Sequence, residues 1–405
     1  MSSGLRPRLL YAVTDPLSFR LGSGQILLMK CAGYEVHAVS SPGPLAVQFS
    51  RADGVPLHPV PMARRISPLM DLRAFITWLL VLRRVRPSVV HAGTPKAAVL
   101  GTLAAWILRV PVRIYYVHGL PLTTAHGLKK LLLSVIENLT CAAATHVVCV
   151  GPSMRRELIE RGLCDEGKAV VLAQGSSNGI DLEVFDPERH GAATRAEVRR
   201  RLGIPADALV IGLIARLGRE KGIEQLLEAW RTVREECKAA HLLVIGPEEP
   251  NDPPSAECLD ALQRDPRVCM PGAIWNTAPL YAAMDVFCLP SHREGVPNVL
   301  LEAAAMRVPV VAFGVPGVVD AVSDGVTGTL VEPLNAGALA AALRKYLQNP
   351  SIRGQHGAAG RDWVSAHFDR EKVWLALTKF YSSVNFAGRP SRAPAPRAQS
   401  AVASR

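Results

Sequence analysis

Ten short apolar runs rich in β-branched residues recur along the chain, separated by stretches of helical periodicity. In the first half they are LLYAV (9–13), YEVHAV (34–39), SVVHA (88–92), RIYYV (113–117) and THVVCV (145–150). The second half repeats the rhythm with ALVIGLIAR (208–216), HLLVIG (241–246), DVFCLP (285–290), VPVVAF (308–313) and GTLVEP (328–333). Strands that are apolar on both faces and alternate with helices read as parallel sheets covered on both sides. The pattern predicts an α/β fold of two doubly wound domains.

At 405 residues the chain exceeds what one core can fill, since single cores stop growing near ~250–300 residues. The rhythm breaks over residues 186–200, where a loop meets a charged helical stretch with no strand of its own. The expected domains are 1–188 and 189–368. A last helix at about 369–385, from DREKVWLALTKFYSSV, is free to return to the first domain. Residues 387–405 are Pro, Ala, Ser and Arg without aliphatic periodicity and read as a disordered tail.

A content of 49% hydrophobic and 20% charged residues is that of a soluble globular protein. The eight cysteines form no CxxC pair and no zinc spacing, which points to a reduced, cytoplasmic compartment and no structural metal. The N-terminus lacks the apolar core of a signal peptide. The longest apolar stretch, near AAVLGTLAAWILRVPV (97–112), falls short of the ~20 residues that span a bilayer.

Charge changes this picture. Residues 1–150 hold 16 Lys+Arg against 5 Asp+Glu, whereas the rest of the chain holds 30 against 30, so the whole net charge of +11 lies in the first part. With aromatics at 5% and no helix-turn-helix, zinc-finger or RNA-binding pattern, nucleic acid is set aside as a partner. The basic residues flank apolar helical stretches, DLRAFITWLLVLRRVRP (71–87) and GLKKLLLSVIENL (127–139). Two readings stay open: an interfacial helix on the anionic inner face of the plasma membrane, or a core helix with a solvated basic face.

Doubly wound sheets bind ligands at the carboxyl ends of their strands, so the loops there carry the chemistry. After ALVIGLI comes ARLGREKG, in which Arg216 and Lys221 lie five apart around Gly218 and Gly222; a planar fork and a point charge suit a diphosphate, as does any charged surface loop. After DVFCLP comes SHREGVPNVLLEAAA, where Pro297 suits a first helical turn and the amides of Gly295, Val296, Pro297 and Asn298 mark a helix N-terminus. Pro297 contributes backbone geometry rather than an amide hydrogen. Glu294 precedes that helix and Glu302 lies inside it. Two carboxylates beside one phosphate would repel it, so they read as acceptors for neutral hydroxyls, or simply as a first-turn acid and a helix-surface Glu.

These motifs together resemble the retaining nucleotide-sugar glycosyltransferases of family 4, with their GT-B fold of two Rossmann-like domains facing a central cleft. SHREGVPNVLLEAAA is similar to their Glu-x7-Glu signature, ARLGREKG to their diphosphate loop, and QGSSNGIDLEVFDP (174–187) to their interdomain segment. HAVSSPGP (37–44), HAGTPKAAVLG (91–101) and RIYYVHGL (113–120) resemble the amino-terminal domain of the bacterial capsule, exopolysaccharide and lipid-linked glycan branch. The resemblance implies that Arg216 and Lys221 neutralise the donor diphosphate, that Glu302 holds the ribose, and that Glu294 meets the donor sugar beside His118. It also implies that Gly22, Ser23 and Gly24 form a turn approaching the ligand, although the family's adjacent glycines are here separated by Ser23.

The implied reaction moves a hexose or N-acetylhexosamine from a nucleotide sugar, UDP-linked on family weight, to a lipid-linked or glycan acceptor. No cofactor is expected, and because no DxD triplet occurs, metal independence is expected too. His91, Lys96, Arg20, Arg64 and Arg65 are candidates for the acceptor side, His91 equally for a bonded core histidine. A sugar-nucleotide epimerase of the same fold and a non-catalytic membrane-associated scaffold are the alternatives.

Overall fold

The computed structural model describes residues 6–22, 24–63 and 67–384. The expected tail at 387–405, Ser23, Arg64 and Arg65 lie outside the described residues. The first sheet contains β1 (Arg8–Ala12), β2 (Glu35–Ser40), β3 (Leu57–Pro59), β4 (Val89–Ala92), β5 (Val112–Val117), β6 (His146–Cys149) and β7 (Ala169–Val171). The second contains β8 (Leu209–Ile214), β9 (Ala240–Ile245), β10 (Val268–Gly272), β11 (Val286–Leu289), β12 (Val310–Phe313) and β13 (Gly328–Val331).

Every pairing between these strands is parallel, in the orders β3-β2-β1-β4-β5-β6-β7 and β10-β9-β8-β11-β12-β13. The order reverses between β1 and β4 and between β8 and β11, and such switch points open crevices at the strands' carboxyl ends. All ten expected strands are present. The three that the pattern does not announce, β3, β7 and β10, all lie at sheet edges.

Helices of the first half are α1 (Gln25–Cys31), α2 (Pro44–Asp53), α3 (Pro68–Val85), α4 (Pro95–Ile107), α5 (Gly127–Ala143) and α6 (Pro152–Glu160). Those that follow are α7 (Ala192–Arg201), α8 (Ile223–Glu236), α9 (Ala256–Arg264), α10 (Ala278–Ala282), α11 (Asn298–Ala305), α12 (Val318–Ala321), α13 (Ala336–Gln348), α14 (Pro350–His367) and α15 (Arg370–Ser383). Successive residues of β1 feed opposite layers, as alternation in a strand requires: Leu9 and Tyr11 join the core with α1, and Leu10 and Ala12 the core beneath α3, α4 and α5. Gly101 lets α4 approach α3, because a Cβ there would stand 2.9 Å from the buried Trp78 ring.

The charged helix α7 belongs to the second sheet. Its Arg195 and buried Arg199 bind Asp285 at 2.8 and 2.9 Å, and Asp285 also accepts from the Val210 amide at the head of β8, 2.8 Å away. The chain crosses between domains twice, and the two crossings pair. The Ile180 amide donates to Phe368 O (2.7 Å), the Arg370 amide donates to Ile180 O (3.0 Å), and Arg370 binds Asp181 (2.7 Å). Beyond this junction α15 packs on α1, and Tyr34 donates to Tyr381 O (3.2 Å). No helix among the described residues is long and apolar enough to cross a membrane.

Candidate active site

Loops from both sheets converge on one pocket. The first domain contributes Gly93 and Pro95 after β4 and His118, Gly119 and Pro121 after β5; the second contributes Arg216, Glu220 and Lys221 after β8 and Arg293, Glu294 and Gly295 after β11. The domains touch here closely. A Cβ on Gly295 would collide with the His118 carbonyl, so only glycine fits where these loops meet. Gly222 is needed for a second reason: its φ of +69° is left-handed, and its Cβ would run into Pro290 O at the end of β11.

The pocket's cations are all engaged by carboxylates of their own domain. Lys221 Nζ lies 2.6 Å from Glu294 Oε1, with the two side chains 15% and 13% exposed. Arg216 pairs with Glu249 and, at 3.6 Å, with Glu220, while Arg293 pairs with Glu220. Burial pushes the Glu220 carboxyl up, but the charges of Arg293, Lys221 and Arg216 more than reverse that and leave it below the usual carboxylate range. It therefore stays ionised at neutral pH. Helix α11 points its N-terminus toward the same region, and no side chain caps it. Its first-turn amides are the kind that bind anions. Pro297 sits at its N-cap, one residue before the expected place in the first turn.

Glu302 stands apart from Glu294. It is outside the pocket lining and accepts from Tyr281 Oη at 2.8 Å and Thr277 Oγ1 at 3.4 Å. Burial raises its pKa, while those two hydrogen bonds and the Arg370 charge act against the rise. Nearby, Arg20 of the first domain lies over the Trp275 ring at 4.5 Å, a cation–π contact across the cleft. The two carboxylates thus have different surroundings, one among cations and one among neutral hydroxyls.

His118 is half-buried, with Nδ1 3.1 Å from Ser177 Oγ and its ring stacked on Tyr116 at 4.9 Å. Burial lowers its pKa to about 4, so the ring is neutral near pH 7. A Cβ on Gly93 would stand 3.0 Å from His118 Nε2, so the glycine keeps that nitrogen open. The stack continues through Tyr116 to His91, which is buried, bonded to Tyr381 Oη at 2.5 Å and lowered to about 3, first by burial and then by the nearby His118 charge. His91 is the bonded core histidine of its two readings. Lys96 reaches Asp71 at 2.5 Å rather than the pocket lining.

Gly22 and Gly24 also lie outside the lining. A Cβ on Gly22 would meet Tyr11 Oη, and one on Gly24 would stand 2.6 Å from the Trp374 ring. Both glycines answer packing at this spot. The structure therefore brings His118, Arg216, Lys221, Glu294 and Gly295 together and leaves Gly22, Gly24, Val296, Pro297, Asn298 and Glu302 outside that lining.

Sequence reasoning missed Glu220, Arg293, Gly93, Ser177 and Tyr281. Four of them lie within motifs it quoted, whereas Tyr281 reaches Glu302 only through the fold. It also missed a contact between the domains: the Ser153 amide and hydroxyl donate to Asp320 at 3.1 and 2.6 Å, and the Gly317 amide donates to Ser153 Oγ at 2.7 Å. Asp320 of α12 thereby caps α6 across the domain boundary.

Comparison with known proteins gives the family and the fold. Residues 28–175 match the glycosyl transferase 4-like domain, and residues 208–349 match the glycosyl transferases group 1 family. The chain is 33% identical over 376 residues to the capsular polysaccharide biosynthesis glycosyltransferase CapM of Staphylococcus aureus, covering 93% of this chain and 97% of the relative. It is 25% identical to the UDP-Gal:alpha-D-GlcNAc-diphosphoundecaprenol alpha-1,3-galactosyltransferase of Escherichia coli, covering 67% and 69%. Among solved structures, Anabaena HepE in complex with UDP and glucose superposes with a TM-score of 0.76 at 19% identity, over 93% of this chain and 100% of that one. The chain belongs to the group 1 glycosyltransferases with a glycosyltransferase 4-like domain, and it has the GT-B fold.

Proposed function

We propose that this chain moves a hexose or N-acetylhexosamine from a UDP-linked sugar to a lipid-linked glycan acceptor in cell-surface polysaccharide assembly, with retention at the anomeric carbon. The observation that carries the reading is the convergence of Arg216, Lys221 and Arg293 with Gly295, in the loop that leads to the uncapped α11, and a neutral His118 in one interdomain pocket. The names of the S. aureus and E. coli relatives supply the polysaccharide context, the UDP donor and the diphospholipid acceptor.

Loss of a nucleoside diphosphate from a sugar leaves negative charge on the phosphates and positive charge on the anomeric carbon. Arg216, Lys221 and the α11 amides would stabilise the first, which is catalysis by preorganised charge. Each pocket cation already has a carboxylate partner, so an arriving diphosphate exchanges places with Glu294 and Glu249 rather than meeting bare charge. Glu294, released from Lys221, becomes an acceptor for donor-sugar hydroxyls. We assign Nδ1 of His118 as acceptor of the Ser177 hydroxyl, which leaves Nε2–H to donate toward the donor sugar. Glu302, with Tyr281 and Thr277, takes the ribose hydroxyls. Gly22 and Gly24 are assigned a backbone approach to the ligand, and protein cations serve where other transferases hold a metal.

The test is a panel of UDP-, GDP-, dTDP- and ADP-sugars incubated with a polyprenyl diphosphate-linked sugar in EDTA, with product anomers read by NMR. One UDP-sugar giving an acceptor-dependent product of unchanged anomeric configuration is expected. Inversion, a strict need for added metal, or isomerisation of the donor without acceptor would each contradict the proposal.

A further inference from the structure

Helices α3, α4 and α5 pack side by side over one face of the first sheet, and their outer surfaces are apolar where water should favour polar groups. On α5 the outward positions Leu128, Leu131, Leu132, Val135 and Leu139 follow i, i+3, i+4, i+7, i+11 and are between 47% and 86% exposed. The inward side of the same helix carries Glu137 and Thr140, both buried. On α3 the stripe Leu69, Leu72, Ile76 and Leu80 repeats the spacing at 51–84% exposure. Between them α4 carries no charge after Lys96 and ends in exposed Trp106 and Ile107. Of the twenty large apolar side chains exposed among the described residues, twelve lie on these three helices. Single exposed apolar residues are ordinary, whereas a contiguous face of them marks an interaction surface.

Charge selects the partner. Between Asp53 and Glu157 the chain has only two carboxylates, and both are engaged: Asp71 with Lys96 at 2.5 Å, and Glu137 with Tyr115 Oη at 2.7 Å. The same helices carry Arg73, Arg83, Arg84, Lys129 and Lys130. We propose that the α3–α4–α5 face docks on an anionic bilayer, its leucines entering the headgroup boundary while its cations meet lipid phosphates. A second copy of the chain suits the face less well, because a two-fold contact would set like charges together.

The topology also gives the docked orientation. In a parallel sheet all covering helices begin at the carboxyl edge, the edge on which the pocket opens, and Pro95 at the start of α4 lines that pocket. The two most exposed leucines among the described residues, Leu69 at 84% and Leu128 at 86%, sit in the first turns of α3 and α5. Docking would bring the pocket mouth to the membrane, where an acceptor can be used without leaving the lipid. This last consequence rests on the proposed transfer reaction; the docking itself does not.

Flotation of the full chain with phosphatidylcholine vesicles, with and without phosphatidylglycerol, tests the proposal. The wild type should float at least about tenfold better with the anionic vesicles and lose that preference as salt rises. Leu128→Glu with Leu131→Glu should abolish flotation, and Lys129→Glu with Lys130→Glu should weaken it by at least about tenfold, taking on the order of one kT or more per charge. Val326→Glu with Leu334→Glu, exposed apolar positions of the other domain, should float like the wild type. Melting temperatures and UDP binding are read on the same samples, so a misfolded variant or a failed donor site is distinguished from a failed docking face. Absence of wild-type flotation, unchanged flotation of the α5 variants, or a dimer that the α5 variants dissociate would each overturn the proposal.

Discussion

The two domains share one architecture and differ in how their charges are answered. In the second domain the site cations Arg216, Lys221 and Arg293 are matched by Glu249, Glu294 and Glu220, and residues 151–405 balance at 30 basic and 30 acidic side chains. In the first, 16 basic residues stand against 5 acidic ones, and the two acids on α3 and α5 are both engaged. The lesson is that the sheets set where a site opens, while the helices and loops set on them carry the charge that suits one half, as we propose, to a small anion and the other to an extended surface.

The sharpest way to break this contrast is to remove one matched cation. Lys221→Ala should lower kcat by about 10²–10³-fold, the usual effect of deleting a preorganised group at developing charge, whereas Arg73→Ala on the outer face of α3 should leave turnover on a water-soluble acceptor unchanged. Steady-state kinetics would show it, and a loss below about fivefold would remove Lys221 from the diphosphate. Next in size, Glu302→Gln should weaken UDP binding by about tenfold, on the order of one charge-assisted hydrogen bond, with kcat at saturation less affected.

Asp320→Ala probes how the domains are held together. It leaves the α6 N-terminus and Ser153 without their partner, so a cost of about 1 kcal/mol is expected as a lowered Tm, together with a raised KM. An unchanged Tm would show that the contact adds nothing to closure. The smallest effect is in pH. His118 and His91 have folded pKa values of about 4 and about 3 against an ordinary 6.5, so the unfolded chain binds the extra protons. Their contribution is full above pH 6.5 and is lost as pH falls toward 4, and His118→Asn should flatten that decline in a Tm-versus-pH series.

What was legible in the sequence follows the same physics. Strands buried on both faces announce themselves as unbroken apolar runs, so β1, β4, β8 and β11 around the switch points were readable. Of the four edge strands only β13 was. LHP of β3 and AVV of β7 are three residues long, and β10 carries a register shift and a proline, because an edge strand needs only one partner. At the site, the loops after β8 and β11 put cations and carboxylates close enough in sequence for their chemistry to be read. Ser177 and Tyr281 were invisible because they reach His118 and Glu302 from remote elements. Gly24 was readable as a turn glycine, but that the ring of Trp374 stands where its Cβ would be was not.

The most direct test of the account is a calorimetric titration of UDP in EDTA into the wild type, Lys221→Ala and Glu302→Gln. The account predicts binding without metal that weakens in both variants, because Lys221 is assigned to the diphosphate and Glu302 to the ribose. Equal affinity for all three proteins, or binding only after a divalent metal is restored, would contradict it.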